Sequence, residues 1–250
     1  QPGINFSRRG PRTVGDHSVT REEQAVVLEL LGVEKSYPGN PPVRALRGID
    51  LLVREGELLA LVGTSGSGKS TMLNVMGALD QPTAGNVFIE GQDLSNLSDR
   101  QLSSLRGRRI GFIFQQFHLI AGMSAVENVS TGLLYQGISR ARRHSSAIAL
   151  LHRVGLGDRL THLPHQLSGG EQQRVAIARA LMGEPAIILA DEPTGNLDSE
   201  TSEEIIELLH QLNQDGSTIV VVTHDGAIAH SFPGMVTLLD GLVANDSRAA

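Results

Sequence analysis

Residues 63–70 read Gly63-Thr64-Ser65-Gly66-Ser67-Gly68-Lys69-Ser70, between an all-apolar run at 58–62 and a stretch of helix-forming composition at 69–79. A short apolar run stopped by glycine is the pattern of a strand buried on both faces. Gly63, Gly66 and Gly68 let the backbone curl tightly, so that successive amide N–H groups can point at phosphate oxygens with no Cβ in the way. Lys69 and the following helix N-terminus add positive charge at the β and γ phosphates, and the Ser70 hydroxyl suits magnesium. The plain alternative, a flexible glycine turn with a solvated lysine, leaves the complete GxxxxGK[ST] pattern in its strand–loop–helix setting unexplained. This stretch predicts a P-loop that binds and hydrolyses ATP.

Working outward, 26–33 and 45–53 are apolar, partly alternating segments separated by the breakers Tyr37-Pro38-Gly39-Asn40-Pro41-Pro42, and read as two strands joined by a loop. Further strands are expected at 86–90, 110–114, 187–190 and 218–222. Between about 121 and 164 the period changes to helical, with Ile148, Leu151 and Val154 along one face of 140–154, which predicts a helical insertion. Helices are also expected at 168–181 and 199–213, the latter with Ile205, Leu208, Leu209 and Leu212 on one side and Gly216 able to stop it. Buried strands alternating with helices imply an α/β fold with a largely parallel sheet covered on both sides.

The polar residues fall at the strand ends. The glycine-rich loop follows one strand, Gln115 another, Asp191 and Glu192 a third, and His224 a fourth. Ligands of open parallel sheets bind outside the carboxyl ends of the strands, so four separate signals converge on one edge. Asp191 suits a magnesium-bound water, and Glu192 suits a base that orients and deprotonates an attacking water. His224 can hydrogen-bond a γ phosphate and sense its loss, although a lone histidine can simply end a strand. Leu167-Ser168-Gly169-Gly170-Glu171 opens a helix and offers a second glycine-rich N-terminus to phosphate; the alternative is an ordinary start with Ser168 as cap. Spacing leaves open whether this site serves its own P-loop or a partner's. Tyr37, read as a loop residue, can stack on adenine.

Composition narrows the setting. The chain of 250 residues carries a net charge of −6, which argues against indiscriminate binding of nucleic acid through a basic surface. It has no cysteine, which fits a cytoplasmic setting, and its longest apolar runs are far below the roughly 20 residues that span a bilayer. Residues 1–24 are polar and aperiodic and are expected to be a disordered arm.

Together these motifs resemble the nucleotide-binding subunit of an ABC transporter over residues 26–246. The resemblance implies a P-loop NTPase fold: a RecA-like core with a mostly parallel central sheet, an antiparallel β subdomain, and a helical subdomain inserted at about 117–182. The domain would occupy 25–246, with a tail at 247–250. Residues 63–70 would be Walker A, with Thr71 adding a nucleotide contact, and 167–171 the signature motif. Asp191 and Glu192 would end Walker B, Asp198 in Gly195-Asn196-Leu197-Asp198 would be the D-loop residue, His224 the switch histidine and Tyr37 the adenine-stacking residue. Gln115 would be the Q-loop residue, a ligand of Mg2+ as well as a link to the membrane partner.

Three longer stretches, residues 72–80, 111–119 and 189–198, are similar to the MacB, LolD and FtsE group, and most to the MacB and LolD type. Leu163-Pro164-His165-Gln166 lacks the Gly-Glu-containing loop of fused drug exporters, and Ser-Phe-Pro-Gly at 231–234 stands where relatives carry a basic residue before the last strand. The resemblance implies two copies closing head to tail around two ATP, docked on an integral membrane permease at the inner face of the membrane. No nucleic acid is expected. A soluble ABC-type ATPase acting on DNA or ribosomes is the alternative; those carry a long coiled-coil insertion or tandem ATPase units, and neither is evident here.

Overall fold

A computed structural model describes residues 24–248. In chain order it begins with β1 (Val26–Tyr37), β2 (Val43–Arg54), β3 (Leu58–Gly63), α1 (Lys69–Met76), β4 (Ala84–Ile89), β5 (Gln92–Asp93), α2 (Asp99–Arg109) and β6 (Ile110–Phe114). The helical stretch follows as α3 (Ala125–Ser130), α4 (Arg140–Arg153) and α5 (Gly169–Leu181). The chain then returns through β7 (Ile187–Asp191), α6 (Ser199–Gln214), β8 (Ile219–Val222), α7 (Gly226–His230), β9 (Gly234–Leu239) and β10 (Leu242–Asp246). The expected arm at 1–24 lies outside the described residues except for Gln24.

Two sheets form. One is four-stranded and antiparallel, in the order β2-β1-β4-β5; the other is six-stranded, in the order β10-β9-β3-β8-β7-β6. In the larger sheet β9, β3, β8, β7 and β6 run parallel and only β10 is antiparallel.

Strand alternation divides the core. Leu58, Ala60, Ile188, Ala190, Ile219 and Val221 face a cluster built with α5, α6 and the helical stretch. Leu59, Leu61, Ile187, Leu189, Val220 and Val222 face α1 and the antiparallel sheet. Both faces of β3, β7 and β8 are therefore covered, which is why these strands read as unbroken apolar runs rather than as alternation. Within the helical stretch Ala147, Leu151 and Val154 are buried, with Ile148 partly so.

Several boundaries differ from expectation. β1 runs on to Tyr37, which therefore ends a strand instead of lying in a loop. Helix α1 stops at Met76 rather than at 79, with Gly77 as its C-cap and Ala78 at a left-handed φ of 53°. The turn after α6 is as expected, with Gly216 at φ 98° and the Ser217 amide bonded back to the Leu212 carbonyl at 3.0 Å. At the far end of the described residues lies Arg248. Its guanidinium grips Asp246 through two hydrogen bonds and Glu57 through a third, tying residues 246–248 to the start of β3.

Candidate functional site

Adjacency in the six-stranded sheet decides the site. The carboxyl ends of β3, β8, β7 and β6 lie side by side and carry the P-loop, His224, Asp191 with Glu192, and Gln115 in that order. The edge inferred from the sequence is thus a physical edge.

The glycines of the loop have identifiable reasons. A Cβ on Gly63 would lie 2.4 Å from the Leu238 carbonyl oxygen and 2.5 Å from Ser67 Oγ, and one on Gly68 would lie 2.5 Å from the Ala45 carbonyl oxygen. Gly66 and Gly68 also sit at φ 79° and 104°, where L side chains are strained. The loop is anchored by the Gly241 amide, which donates to the Ser67 carbonyl at 3.0 Å, and by the Arg47 amide, which donates to the Gly241 carbonyl at 2.9 Å. No side chain caps α1 and its first turn holds no acidic residue, so its leading N–H groups and their partial positive charge are left for an anion. Lys69 Nζ folds back onto the Gly63 and Thr64 carbonyls at 2.8 and 2.9 Å.

A cavity of about 620 Å³ opens beside this loop and is lined by Gly63, Thr64, Ser65, Lys69, Glu192 and His224, with Leu238 of β9 among its walls. Strand register places the acidic end of β7 here: Asp191 pairs with Val222 and Phe114, and the Glu192 amide donates to the Val222 carbonyl at 2.9 Å. Glu192 sits at φ 45°, a strained conformation for a side chain of this size. Its Oε1 accepts from His224 Nδ1 at 2.7 Å; Glu192 is 17 % exposed and His224 72 %. A carboxylate and an imidazole so placed can hold a water and move a proton. Burial, followed by the neighbouring Glu192 charge, raises the Asp191 carboxyl pKa above its ordinary value, and Lys69 opposes this only in part. The site therefore carries more negative charge than its own cation balances.

The remaining candidates stand outside this cavity. Gln115 Nε2 donates to Asn196 Oδ1 at 3.3 Å and Asn196 Nδ2 donates to the Gln115 carbonyl at 2.9 Å; Gly195 leaves room, since a Cβ there would meet Gln115 Nε2 at 2.7 Å. Asp198 caps α6, accepting from the Thr201 amide at 2.9 Å and its hydroxyl at 2.8 Å, and these two bonds hold its carboxyl below the ordinary range. Ser168 caps α5 through a reciprocal pair with Glu171: its amide donates to Glu171 Oε2 at 2.8 Å while its Oγ accepts the Glu171 amide at 3.2 Å. The capping alternative therefore describes the Ser168 side chain in this state. Gly169 and Gly170 lie against Leu197 and Thr201, so the start of α5 packs on residues 197–201 and does not line the cavity beside residues 63–65. Tyr37 does not line it either. Its hydroxyl donates to Asp80 Oδ2 at 2.9 Å.

Three residues absent from the sequence-derived set support it. Asn196 lay in plain sight inside the quoted stretch 189–198. Arg179 spans from α5 to the Phe117 and His118 carbonyls at 2.8 and 2.7 Å, fixing the chain just after Gln115. Asn128, buried, receives the Ile120 amide at 2.7 Å and donates to the Met123 carbonyl at 2.9 Å. The only signal for the last two is a polar side chain on the apolar face of a predicted helix.

The comparisons agree with this geometry. The family described as ABC transporter matches residues 46–195. An uncharacterized ABC transporter ATP-binding protein of Thermotoga maritima is 50% identical over 223 residues, which span 89% of this chain and 95% of that protein. A macrolide export ATP-binding/permease protein MacB of Agrobacterium fabrum is 46% identical over 89% of this chain but only 34% of its own length, so the chain spans about a third of the MacB relative. Among solved structures, the dimeric post-hydrolysis state of the ATP-binding cassette MJ0796 bound to ADP and Pi superposes with a TM-score of 0.80 at 45% identity, covering 88% of this chain and 97% of that one. Family match, relatives and fold converge: the chain belongs to the ABC transporter family, as a P-loop ATPase cassette of the MacB-like kind.

Proposed function

We propose that this cassette hydrolyses ATP at a composite site made by two copies, each closing its signature motif, residues 167–171, on ATP held by the other's P-loop. One observation carries the reading: residues 168–171 do not line the cavity beside their own P-loop, so a single copy leaves one wall of the nucleotide site unbuilt. The dimeric cassette similar to this chain supports it. In the closed pair, amides of residues 63–71 cradle the phosphates, Lys69 neutralises the β and γ phosphates, and Tyr37 stacks on adenine. Glu192 orients and deprotonates the attacking water while His224 bridges that carboxylate and the γ phosphate.

The adjacent carboxylates Asp191 and Glu192 at the end of β7 are oxygen donors that suit a hard divalent cation. Ser70, Gln115 and Asp191 would hold Mg2+, which when bound neutralises phosphate charge. The work is done on an integral membrane permease of the MacB and LolD type, a reading supported by the similarity to ATP-binding/permease proteins. On this reading the protein works at the inner face of the cell membrane. Among the described residues no helix is long and apolar enough to cross a membrane. The permease docks at a groove of about 450 Å³ lined by Phe112, Phe114, His118, Arg106, Arg108 and Arg179, directly beside the chain leading to and from Gln115.

Mixing two inactive variants tests the composite site. Lys69→Ala removes the P-loop cation but keeps the signature; Gly169→Asp blocks the signature but keeps the P-loop. Turnover regained on mixing supports the reading, and a mixture as inactive as its components contradicts it. Co-purification of a membrane protein with the tagged cassette tests the permease.

A further inference from the structure

Asp80 closes the quoted stretch 72–80 and takes no part in the phosphate chemistry, yet several donors converge on it. Tyr37 Oη donates to Oδ2 at 2.9 Å, Lys35 Nζ to Oδ1 at 2.5 Å, and the Gln81 amide also to Oδ1 at 2.8 Å. Lys35 Nζ makes a second bond, to the Gln81 carbonyl at 2.7 Å. Lys35 and Tyr37 are two residues apart at the end of β1, where the pairing with β2 is interrupted between Lys35 and Ser36, and both side chains reach Asp80. The Lys35 ammonium lies over the Tyr37 ring, 5.0 Å from its centroid. One face of the ring is thus covered by a cation, one edge is pinned through the hydroxyl, and the residue as a whole is partly buried, with some of its surface still exposed.

The position suits a nucleobase. Tyr37 pairs with Val43 across β1 and β2, and Val43 is two residues from Ala45, whose carbonyl presses against Gly68 of the P-loop. With about 3.3 Å of rise per residue and about 4.8 Å between strands, the Tyr37 backbone lies about 8 Å from Ala45. A ribose attached to phosphates on the loop amides bridges such a gap.

We propose that Asp80 and Lys35 are positioning residues for nucleotide recognition: they lock Tyr37 by its hydroxyl and cover its rear face, so that the open face is held ready for adenine. The inference rests on the reading of Tyr37 as the adenine platform. A free tyrosine must be ordered when the base arrives, whereas a clamped one has already lost that freedom, and the difference appears as affinity for the base and not for the phosphates.

The test compares ADP with inorganic pyrophosphate by calorimetry on the whole chain, since both occupy the P-loop and only one carries a base. Stacking energies of about 1–3 kcal/mol per base correspond to a loss of roughly fivefold or more in ADP affinity for Tyr37→Ala. Tyr37→Phe, which keeps the ring and loses the hydroxyl, and Asp80→Ala are each expected to weaken ADP by about three- to tenfold and to leave pyrophosphate unchanged. The double variant is expected to lose no more than either single one, because both break the same link. Wild-type ADP affinity in Tyr37→Phe and Asp80→Ala, with a loss confined to Tyr37→Ala, overturns the positioning role and leaves stacking intact. An equal loss of ADP and pyrophosphate in Asp80→Ala also overturns it, since the effect would then reach the P-loop itself. If Tyr37→Ala keeps full ADP affinity, the platform reading fails and the inference with it.

Discussion

On the proposed reading, Asp191 trades stability for magnesium binding. Its carboxyl pKa is raised, first by burial and then by the Glu192 charge, so the folded chain binds that proton more tightly than the unfolded one. Above the raised pKa the ionised carboxylate costs the fold free energy, and below the unfolded value near 3.9 that cost is gone. Asp191→Asn is therefore expected to raise the melting temperature of the nucleotide-free protein by a few degrees at pH 7.5 and to give no gain at pH 3.5, while abolishing magnesium-dependent turnover. Thermal unfolding at the two pH values, paired with a phosphate-release assay, checks both halves. The types and spacing of such residues were legible in the sequence. Their states were not: the bond between Glu192 and His224 depends on β7 and β8 being neighbours, and the pairing of Gln115 with Asn196 joins residues 81 apart in the chain.

At the level of elements, legibility followed burial. β3, β7 and β8 are covered on both faces and read as apolar runs, and α6 shows its buried stripe of Ile205, Leu208, Leu209 and Leu212 at helical spacing. Helix α2 escaped a helical assignment because only Leu102 and Leu105 of its eleven residues are buried, leaving too faint a period. β9 was obscured by Pro233 immediately before it, although it lies between β3 and β10, and β10 is an edge strand with little buried surface. The start of α5 is the element whose two readings need separating. Aspartate caps a helix about as well as serine, so Ser168→Asp is expected to keep thermal stability within about 1 kcal/mol of wild type. The added negative charge, facing the partner's ATP on closure, is expected to lower turnover at least roughly tenfold. Unchanged turnover would reduce Ser168 to a cap.

For the molecule as a whole, two cores divided by one sheet hold the catalytic edge in place. Leu189 is fully buried on β7, two residues before Asp191, within the core that includes α1 and the antiparallel sheet. Leu189→Ala is expected to cost about 2–5 kcal/mol in urea unfolding, through lost transfer energy and the cavity left behind. This architecture was readable from the alternation of strands and helices together with polar strand ends. What remained hidden was long-range placement: the grip of Arg248 on Glu57, the clamp of Lys35 and Asp80 on Tyr37, and the stance of the start of α5 away from the cavity beside residues 63–65.

On the proposed reading the isolated chain is an incomplete catalyst until a second copy closes on it. Glu192→Gln keeps the shape of the side chain and removes the base, so ATP binds and is not consumed. Size-exclusion chromatography of this variant at saturating MgATP is predicted to show a dimer that reverts to monomer when ATP is withdrawn; a variant that binds ATP and elutes as a monomer would contradict the composite site.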